Sequence, residues 1–503
     1  MDTLLDPHDV DHLRTSLREI GYHTDAVLEA IGESGQRGLT RMTTRAASDA
    51  LAGRDDPLAA LVRLWPLQQQ VEAASVGPLP WQSLCRAGIL ERVDGPRGDR
   101  LVARVDLRPY GSPDDGADGW VVSDLVPGLD HHVTPTRPDY VLGVSPASTS
   151  LAQMTIRTPV SSALDLGCGC GVQSLHLARH AERVVATDVN PRALAMAQLS
   201  LALSGVEETV TVRRGSLFEP TPERFDLIVT NPPYVMSPPS GPDTRLTYRE
   251  SGWRADGLVE AVVRSAPDHL TESGTLQVLA NWAHVGDQPW EERLAGWVGD
   301  SGCDLWVVER ESLDVHEYVE LWLTDAGLDG SPRWAPAYRE WLDYFTSEGI
   351  TGVSMGWITL TRAGREHPDL SFEQWPWQVD QPVSEAVAGH RAGVDAALLD
   401  DEAILARRWR LRDDVVAETT GRPGAADPEH LVLRQRRGLC RAIEVGTASG
   451  GVLGACDGEL PLAAVVGAVA QILGAGVGEV AQEVLPVVRR GLREGLLVAA
   501  DEA

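Results

Sequence analysis

An α/β fold, built on a doubly wound Rossmann-like sheet with helical or winged-helix-like domains before and after it, is what this 503-residue sequence predicts. Three observations predict it. From about Ser161 strand-like and helix-like segments alternate, a Gly-x-Gly-x-Gly run follows the first of those strands, and the tetrapeptide Asn231-Pro232-Pro233-Tyr234 closes the fourth. Alternation of this kind requires a parallel sheet with helices on both faces.

At 43% hydrophobic and 23% charged, the chain has a globular composition and is too long for one core. The expected parts are residues 1–125, 126–372 and 373–503. A net charge of -29, from 73 acids against 44 bases, repels nucleic acid and anionic membrane at long range, although a local Arg patch still docks a phosphate backbone. No Lys occurs, so every base is Arg; a GC-rich genome is the simple account and adaptation to high salt the sharper one. The six cysteines (Cys85, Cys168, Cys170, Cys303, Cys440, Cys456) lack the paired spacing of a zinc site and read as reduced thiols. No signal-peptide pattern opens the chain, and the apolar run Pro461–Gly478 is broken by Pro and Gly, so a buried helix is expected there and a cytoplasmic location overall.

In chain order, Asp9 to Ala74 shows helical spacing with breaks at "GESGQRG" and "AGRDDP". "LPWQSLCRAGILERVDG" reads as a helix ending at Gly95, and "RLVARVDLRPY" with "GWVVSDL" as a hairpin around "GSPDDGADG", a winged-helix-like order. "SALDLGC", "RVVATDV", "VTVRRGS", "FDLIVT", "TLQVLANW" and "CDLWVVER" are strands, with helices at "VQSLHLARH", "PRALAMAQLSLALSG", "LVEAVVRSAPDHL" and "WEERLAGWV". A Trp-rich helical stretch, Tyr318 to Phe345, leads to "GVSMGWITLTR", expected to be the last strand and to close the sheet. Beyond it, "LCRAIEVGTASGGVLGACDG" reads as a hairpin, followed by two helices and a final strand.

Gly167, Gly169 and Gly171 fall where a strand-to-helix crossover needs positive φ and close approach to a ligand. Val172 occupies the place of the glycine that would complete a dinucleotide fingerprint, which argues against NAD or FAD, and no Lys-Ser/Thr follows, which excludes a P-loop. Asp188 ends the second strand, where a carboxylate accepts from both hydroxyls of a ribose; a helix cap ahead of Pro191 is its plainer alternative.

The Asn-Pro-Pro-Tyr run ends the strand beside that loop. Pro rings fix the backbone, so the Pro232 carbonyl and the Asn231 side chain form a rigid pair of acceptors suited to an NH2 group. Holding both protons from one side aims the nitrogen lone pair at an electrophile, and Tyr234 is placed to stack on the flat group.

With these motifs the stretch from about Val141 to Arg362 resembles a class I S-adenosylmethionine-dependent methyltransferase, with its seven-stranded sheet. Its NPPY is similar to that of release-factor glutamine methyltransferases and of RNA and DNA exocyclic-amine methyltransferases. The resemblance implies S-adenosyl-L-methionine as cofactor. It implies that Asp165, Gly167, Cys168, Gly169 and Gly171 line its methionine side, with Cys168 a small loop filler, that Asp188 holds the ribose and that Val189 flanks the adenine. Ser216, next to Leu217, stands where such enzymes usually carry an adenine-binding Asp, and Asp256-Gly257 is similar to an Asp-Gly-Leu segment of the glutamine-methylating group. A macromolecular substrate follows, RNA, DNA or protein, with Asn231, Pro232, Pro233 and Tyr234 catalytic and no metal. The alternatives are a non-catalytic cofactor-binding scaffold and a small-molecule methyltransferase. Arg245, Arg249 and Arg254, with "ARRWRLRDD" and "VLRQRRGLCR", form either a phosphate path or solvated, acid-paired faces, and the charge balance favours the second. Trp282, Trp290, Trp306, Trp322 and Trp341 are expected in the core.

Overall fold

The computed structural model describes residues 4–95, 98–131, 136–239, 247–250, 252–423 and 429–500. Its contacts divide into two compact units, residues 1–152 with 159–376, and residues 153–158 with 377–503.

The first unit opens with helices α1 (Pro7–Ile20), α2 (Thr24–Thr40), α3 (Arg45–Ala50) and α4 (Pro57–Leu64). Asp6 and Asp56 cap α1 and α4 by accepting from Asp9 N and Ala59 N, and each helix begins with Pro, whose missing N–H costs nothing in the first turn. Then come β1 (Val71–Glu72), α5 (Trp81–Arg86), β2 (Leu90–Gly95), β3 (Gly98–Ala103), β4 (Asp106–Gly111) and β5 (Asp118–Ser123). The helix expected to reach Gly95 stops instead at Arg86. Gly88 takes φ +71, and beyond the buried Leu90 the exposed Arg92 and Asp94 alternate with the half-buried Glu91, Val93 and Gly95 as a strand requires. The one expected hairpin is two, β2 with β3 and β4 with β5, because the chain turns again at Arg104-Val105. β5 lies along a later helix, α8, described next.

The central sheet begins after α6 (Pro146–Met154) with β6 (Val160–Leu166), α7 (Val172–Leu177), β7 (Ala181–Asp188), α8 (Pro191–Ser204), β8 (Val210–Arg214) and β9 (Phe225–Thr230). It continues with α9 (Gly257–His269), β10 (Leu270–Val285), α10 (Trp290–Val298), β11 (Asp304–Asp314), α11 (Val315–Asp325), α12 (Trp334–Glu348), β12 (Ile350–Thr361) and β13 (Leu370–Gln374). The strand order is β13-β11-β12-β10-β9-β6-β7-β8, an α/β doubly wound sheet. β6 pairs in parallel with β7 on one side and β9 on the other, so successive crossovers leave in opposite directions and open a crevice at the carboxyl edge. One expectation fails here. β12 does not close the sheet at its edge but runs antiparallel between β10 and β11, and β13 forms the edge. Nearly every residue of β12 is buried, and an apolar strand of that length leaves no unpaired backbone when both neighbours pair with it.

The sheet's core joins Leu164, Ile228, Val263, Val278 and Trp282. α8 also carries the amino-terminal hairpin: Ser200 Oγ accepts from Val122 N at 2.8 Å and Arg192 pairs with Asp124.

The second unit holds α13 (Ser384–Ala397), α14 (Asp401–Ala406), β14 (Arg408–Leu411), β15 (Val415–Thr420), β16 (His430–Gln435) and β17 (Ala442–Val445), then α15 (Thr447–Gly454), β18 (Asp457–Pro461), α16 (Leu462–Leu473), α17 (Val477–Arg493) and β19 (Leu497–Ala499). The hairpin expected over Leu439–Gly458 contains α15. Its small residues suggest a turn, yet Ala448, Ser449, Val452 and Leu453 fall on one helical face and are buried against Trp409, Val466 and Val484. The apolar run from Pro461 is α16, ended by Gly474 at φ +65; among the described residues no helix is long and apolar enough to cross a membrane.

Candidate active site

At the carboxyl edge of β6, β7 and β9 lies a cavity of about 400 Å³. Thr187 O, at the end of β7, accepts from Gly167 N at 2.9 Å and from Cys168 N at 2.8 Å, which ties the glycine loop to the neighbouring strand. Gly167 and Gly169 take φ +78 and +52, and a Cβ on either would meet nothing within 4 Å, so the loop presents bare backbone to open space. Gly171 serves a different end: at φ +86, a Cβ there would come within 3.2 Å of Ala197 Cβ, so its lack of a side chain lets α7 start against α8.

Asp188 holds the loop from the other side. Its Oδ2 accepts from Gly169 N at 3.0 Å and its Oδ1 from Asn190 N at 2.8 Å. The cap of α8 is Asn190, whose side chain accepts from Arg192 N, so Asp188 is not the helix cap. Burial pushes the Asp188 carboxyl upward, against the pull of backbone N–H groups from Asn190, Gly169 and Val189. Asp165 is 1% exposed at the end of β6. Burial pushes its carboxyl up to about 7, resisted by hydrogen bonds from Ser174 and reinforced by the negative charge of Asp188.

β9 delivers the Asn-Pro-Pro-Tyr run to the same edge, where Thr230 Oγ1 donates to Leu166 O at 2.6 Å. Asn231, Pro232 and Pro233 line the cavity with Asp165, Gly167, Cys168 and Gly169. So do Asp188, Val189, Ser216 and Leu217. Asn231 Oδ1 is buried and has no hydrogen-bond partner among the described residues. A buried amide oxygen without a donor costs about 1–3 kcal/mol, an expense that a ligand N–H would remove. Gly171 and Tyr234 are not on the cavity wall. The Tyr234 ring packs edge-on to Trp322 at 6.5 Å, between the sheet core and the core of α11 and α12.

The aromatic rings that do line the cavity are Tyr140, Tyr248 and Trp253, together with the carboxylate of Glu250. Sequence reasoning missed all four, since they belong to irregular segments without periodicity; the acid-and-aromatic spacing of "TYRESGW" was the available signal. Their placement comes from pairing across the chain. Val235 N donates to Arg249 O at 3.0 Å and Tyr234 forms an isolated antiparallel bridge with Glu250. Thr247 N donates to Pro138 O at 3.1 Å, and Tyr248 meets Tyr140 edge-to-face at 5.3 Å.

Elsewhere the anticipated residues are structural. Arg249, 8% exposed, pairs with Asp325 at 2.7 Å, and Arg254 pairs with Glu348; Arg245 lies outside the described residues. Asp256 pairs with Arg293 and accepts from Ala283 N at 2.8 Å, joining α9 to α10 and β10. Trp282, Trp290, Trp306 and Trp341 are buried, as expected, and Trp322 is partly so.

Comparison with known proteins agrees with this geometry. Residues 143–300 match the family described as Methyltransferase small domain, and residues 19–103 a Domain of unknown function (DUF7059). A Release factor glutamine methyltransferase of Cereibacter sphaeroides is 35% identical over 26% of this chain and 50% of its own. A Ribosomal protein uL3 glutamine methyltransferase of Bradyrhizobium diazoefficiens is 36% identical over 31% of this chain and 53% of its own. A Ribosomal RNA small subunit methyltransferase C of Alcanivorax borkumensis is 32% identical over 24% of this chain and 31% of its own. The chain thus spans about half the length of the first two relatives and less of the third.

Proposed function

We propose that the central domain transfers a methyl group from S-adenosylmethionine to a planar nitrogen of a macromolecule in the cytoplasm, a nucleobase exocyclic amine or a protein glutamine. The observation that carries this is the buried Asn231 Oδ1, without a hydrogen-bond partner among the described residues, on the wall of a cavity that the glycine loop and Asp188 also line. The cofactor fits the residues present: bare loop backbone at Gly167 and Gly169, an acceptor at Asp188, and an exposed apolar Val189 beside it. When bound it supplies a sulfonium methyl, so that a nitrogen–carbon bond forms as the sulfur–carbon bond breaks, the electron pair stays on sulfur, and the surplus nitrogen proton leaves to water.

Asn231 Oδ1 and the Pro232 carbonyl hold the two protons of the target amine. Pro233 and the half-buried Tyr234 keep that pair rigid, so orientation supplies most of the rate. The amino-terminal and carboxyl-terminal parts, 1–125 and 373–503, select the partner. The test uses extract of a strain lacking this protein, with methyl-labelled S-adenosylmethionine and purified wild-type or Asn231→Ala protein. Label that depends on Asn231 in RNA, DNA or protein supports the proposal. Equal labelling by both proteins refutes the role of Asn231, and no labelling at all leaves a cofactor-binding scaffold or a small-molecule enzyme.

A further inference from the structure

The Trp-rich stretch from Tyr318 to Phe345 has no part in the methyl-transfer reading above, and its contacts give it one. We propose that α11 and α12 are the frame that holds the substrate wall of the cavity, with Tyr318 and Tyr344 as its positioning residues; this rests on that reading.

Both helices lie in the chain between β11 and β12. Tyr318, Val319, Trp322 and Leu323 recur at helical spacing on α11, as Trp341, Tyr344 and Phe345 do on α12. Those faces share one apolar core with Val235 and Met236, the residues that follow Tyr234. From each helix one phenol reaches out of that core to the backbone of the wall. Tyr318 OH accepts from Met236 N at 3.1 Å and from Asn281 Nδ2 at 3.4 Å, and Tyr344 OH accepts from Ala255 N at 2.8 Å. Two ion pairs repeat the pattern at the helix ends, Arg249 with Asp325 at 2.7 Å on α11 and Arg254 with Glu348 on α12. The anchored positions 236, 249, 254 and 255 bracket Tyr248 and Trp253, which line the cavity with Asn231.

The hydroxyls do what packing does not require. Phe345 stands 5.8 Å from both phenol rings in the same core and carries no hydroxyl, so a bare ring suffices to fill it. What each hydroxyl adds is an acceptor. Met236 is 1% exposed, and a buried N–H without an acceptor is costly. Ala255 takes φ +47, a left-handed conformation that an alanine seldom holds unaided, and the bond from its N–H to Tyr344 fixes that turn two residues after Trp253. The glycine loop is tied instead to Thr187 and Asp188. Loosening the frame should therefore shift the substrate wall and leave the cofactor side in place.

Tyr318→Phe, Tyr344→Phe and the double variant remove only the hydroxyls, and Phe345→Leu loosens the same core without touching an anchor. The acceptor is whichever fraction of the lacking strain's extract, RNA, DNA or protein, takes Asn231-dependent label. Its KM should rise about 3- to 10-fold in each single Tyr variant, the worth of one hydrogen bond, and further in the double, with S-adenosylmethionine affinity by calorimetry unchanged. An unchanged KM in the double variant, a parallel loss of cofactor affinity, or an equal rise in Phe345→Leu overturns the assignment. Hydrogen exchange reads the frame without any activity: in the double variant, peptides spanning residues 247–256 should exchange about tenfold faster or more, while those of the glycine loop keep their rate. Unchanged exchange there overturns the frame whether or not methyl transfer occurs. Faster exchange with no Asn231-dependent label in any fraction overturns the methyl-transfer reading alone.

Discussion

The glycine-loop wall of the cavity and the wall opposite it are assembled from contacts of very different reach. On the loop side Gly169 meets Asp188 across 19 residues of chain, and Thr187 O collects the loop's first two N–H groups. On the other side Thr247 bonds Pro138 across 109 residues and Arg249 bonds Asp325 across 76. The first wall is one crossover unit, made by any chain that folds strand, loop, helix and strand. The second exists only after the whole sheet has brought α11 and the segment before α6 together. Cofactor binding should therefore tolerate damage to the second wall, while substrate handling should not.

Four variants sharpen or break that contrast. Asn231→Ala, at the junction of the walls, should lower kcat by about 10²- to 10³-fold, the usual cost of one positioned polar group in a reaction centre. Single-turnover methylation checks it, and a loss under tenfold would mean that the acceptor is not used in the transition state. Gly171→Val acts wholly on the loop wall: the left-handed φ and the approach to Ala197 should cost about 2–4 kcal/mol in urea unfolding, with S-adenosylmethionine affinity falling as well.

Arg249→Ala tests the opposite wall. Because Asp325 is 49% exposed, water takes over much of that contact, and a loss of about 1–2 kcal/mol is expected. A raised KM for the macromolecular substrate with unchanged cofactor affinity is the expected pattern; a parallel loss of cofactor affinity would show that the walls are coupled.

The remaining variant tests a pH dependence. With the Asp165 carboxyl raised from 3.8 to about 7, the folded chain keeps a proton that the unfolded chain releases. The stability due to this group is fully present below about pH 4 and is lost as the pH rises to about 7, by up to about 1.4 kcal/mol per pH unit. Asp165→Asn should flatten that slope in thermal unfolding between those limits. A positively charged cofactor favours the ionised form, so its affinity should weaken by up to about tenfold per unit below pH 7.

Much of the central domain was legible in the sequence because its signals are local. Asp188 after an apolar strand, glycines at positive φ and prolines after β9 each express a backbone requirement that only a few residue types meet. The misplaced elements share the opposite property. β12 has the same apolar run whether it lies at an edge or between two strands, and α15 is built of residues whose own preference is for turns.

By itself, then, the sequence determined the crossover unit, the glycine loop, the acid at the end of β7 and the Asn-Pro-Pro run that ends β9, since short-range sterics and hydrogen-bonding capacity decide each of these. Tertiary structure alone decided that Tyr234 packs against Trp322, that Tyr248, Glu250 and Trp253 form the far wall, and that Arg249 is committed to Asp325. Each of those outcomes depends on a partner distant in the chain, and the choice among possible partners is settled by which of them the folded sheet carries to the same place.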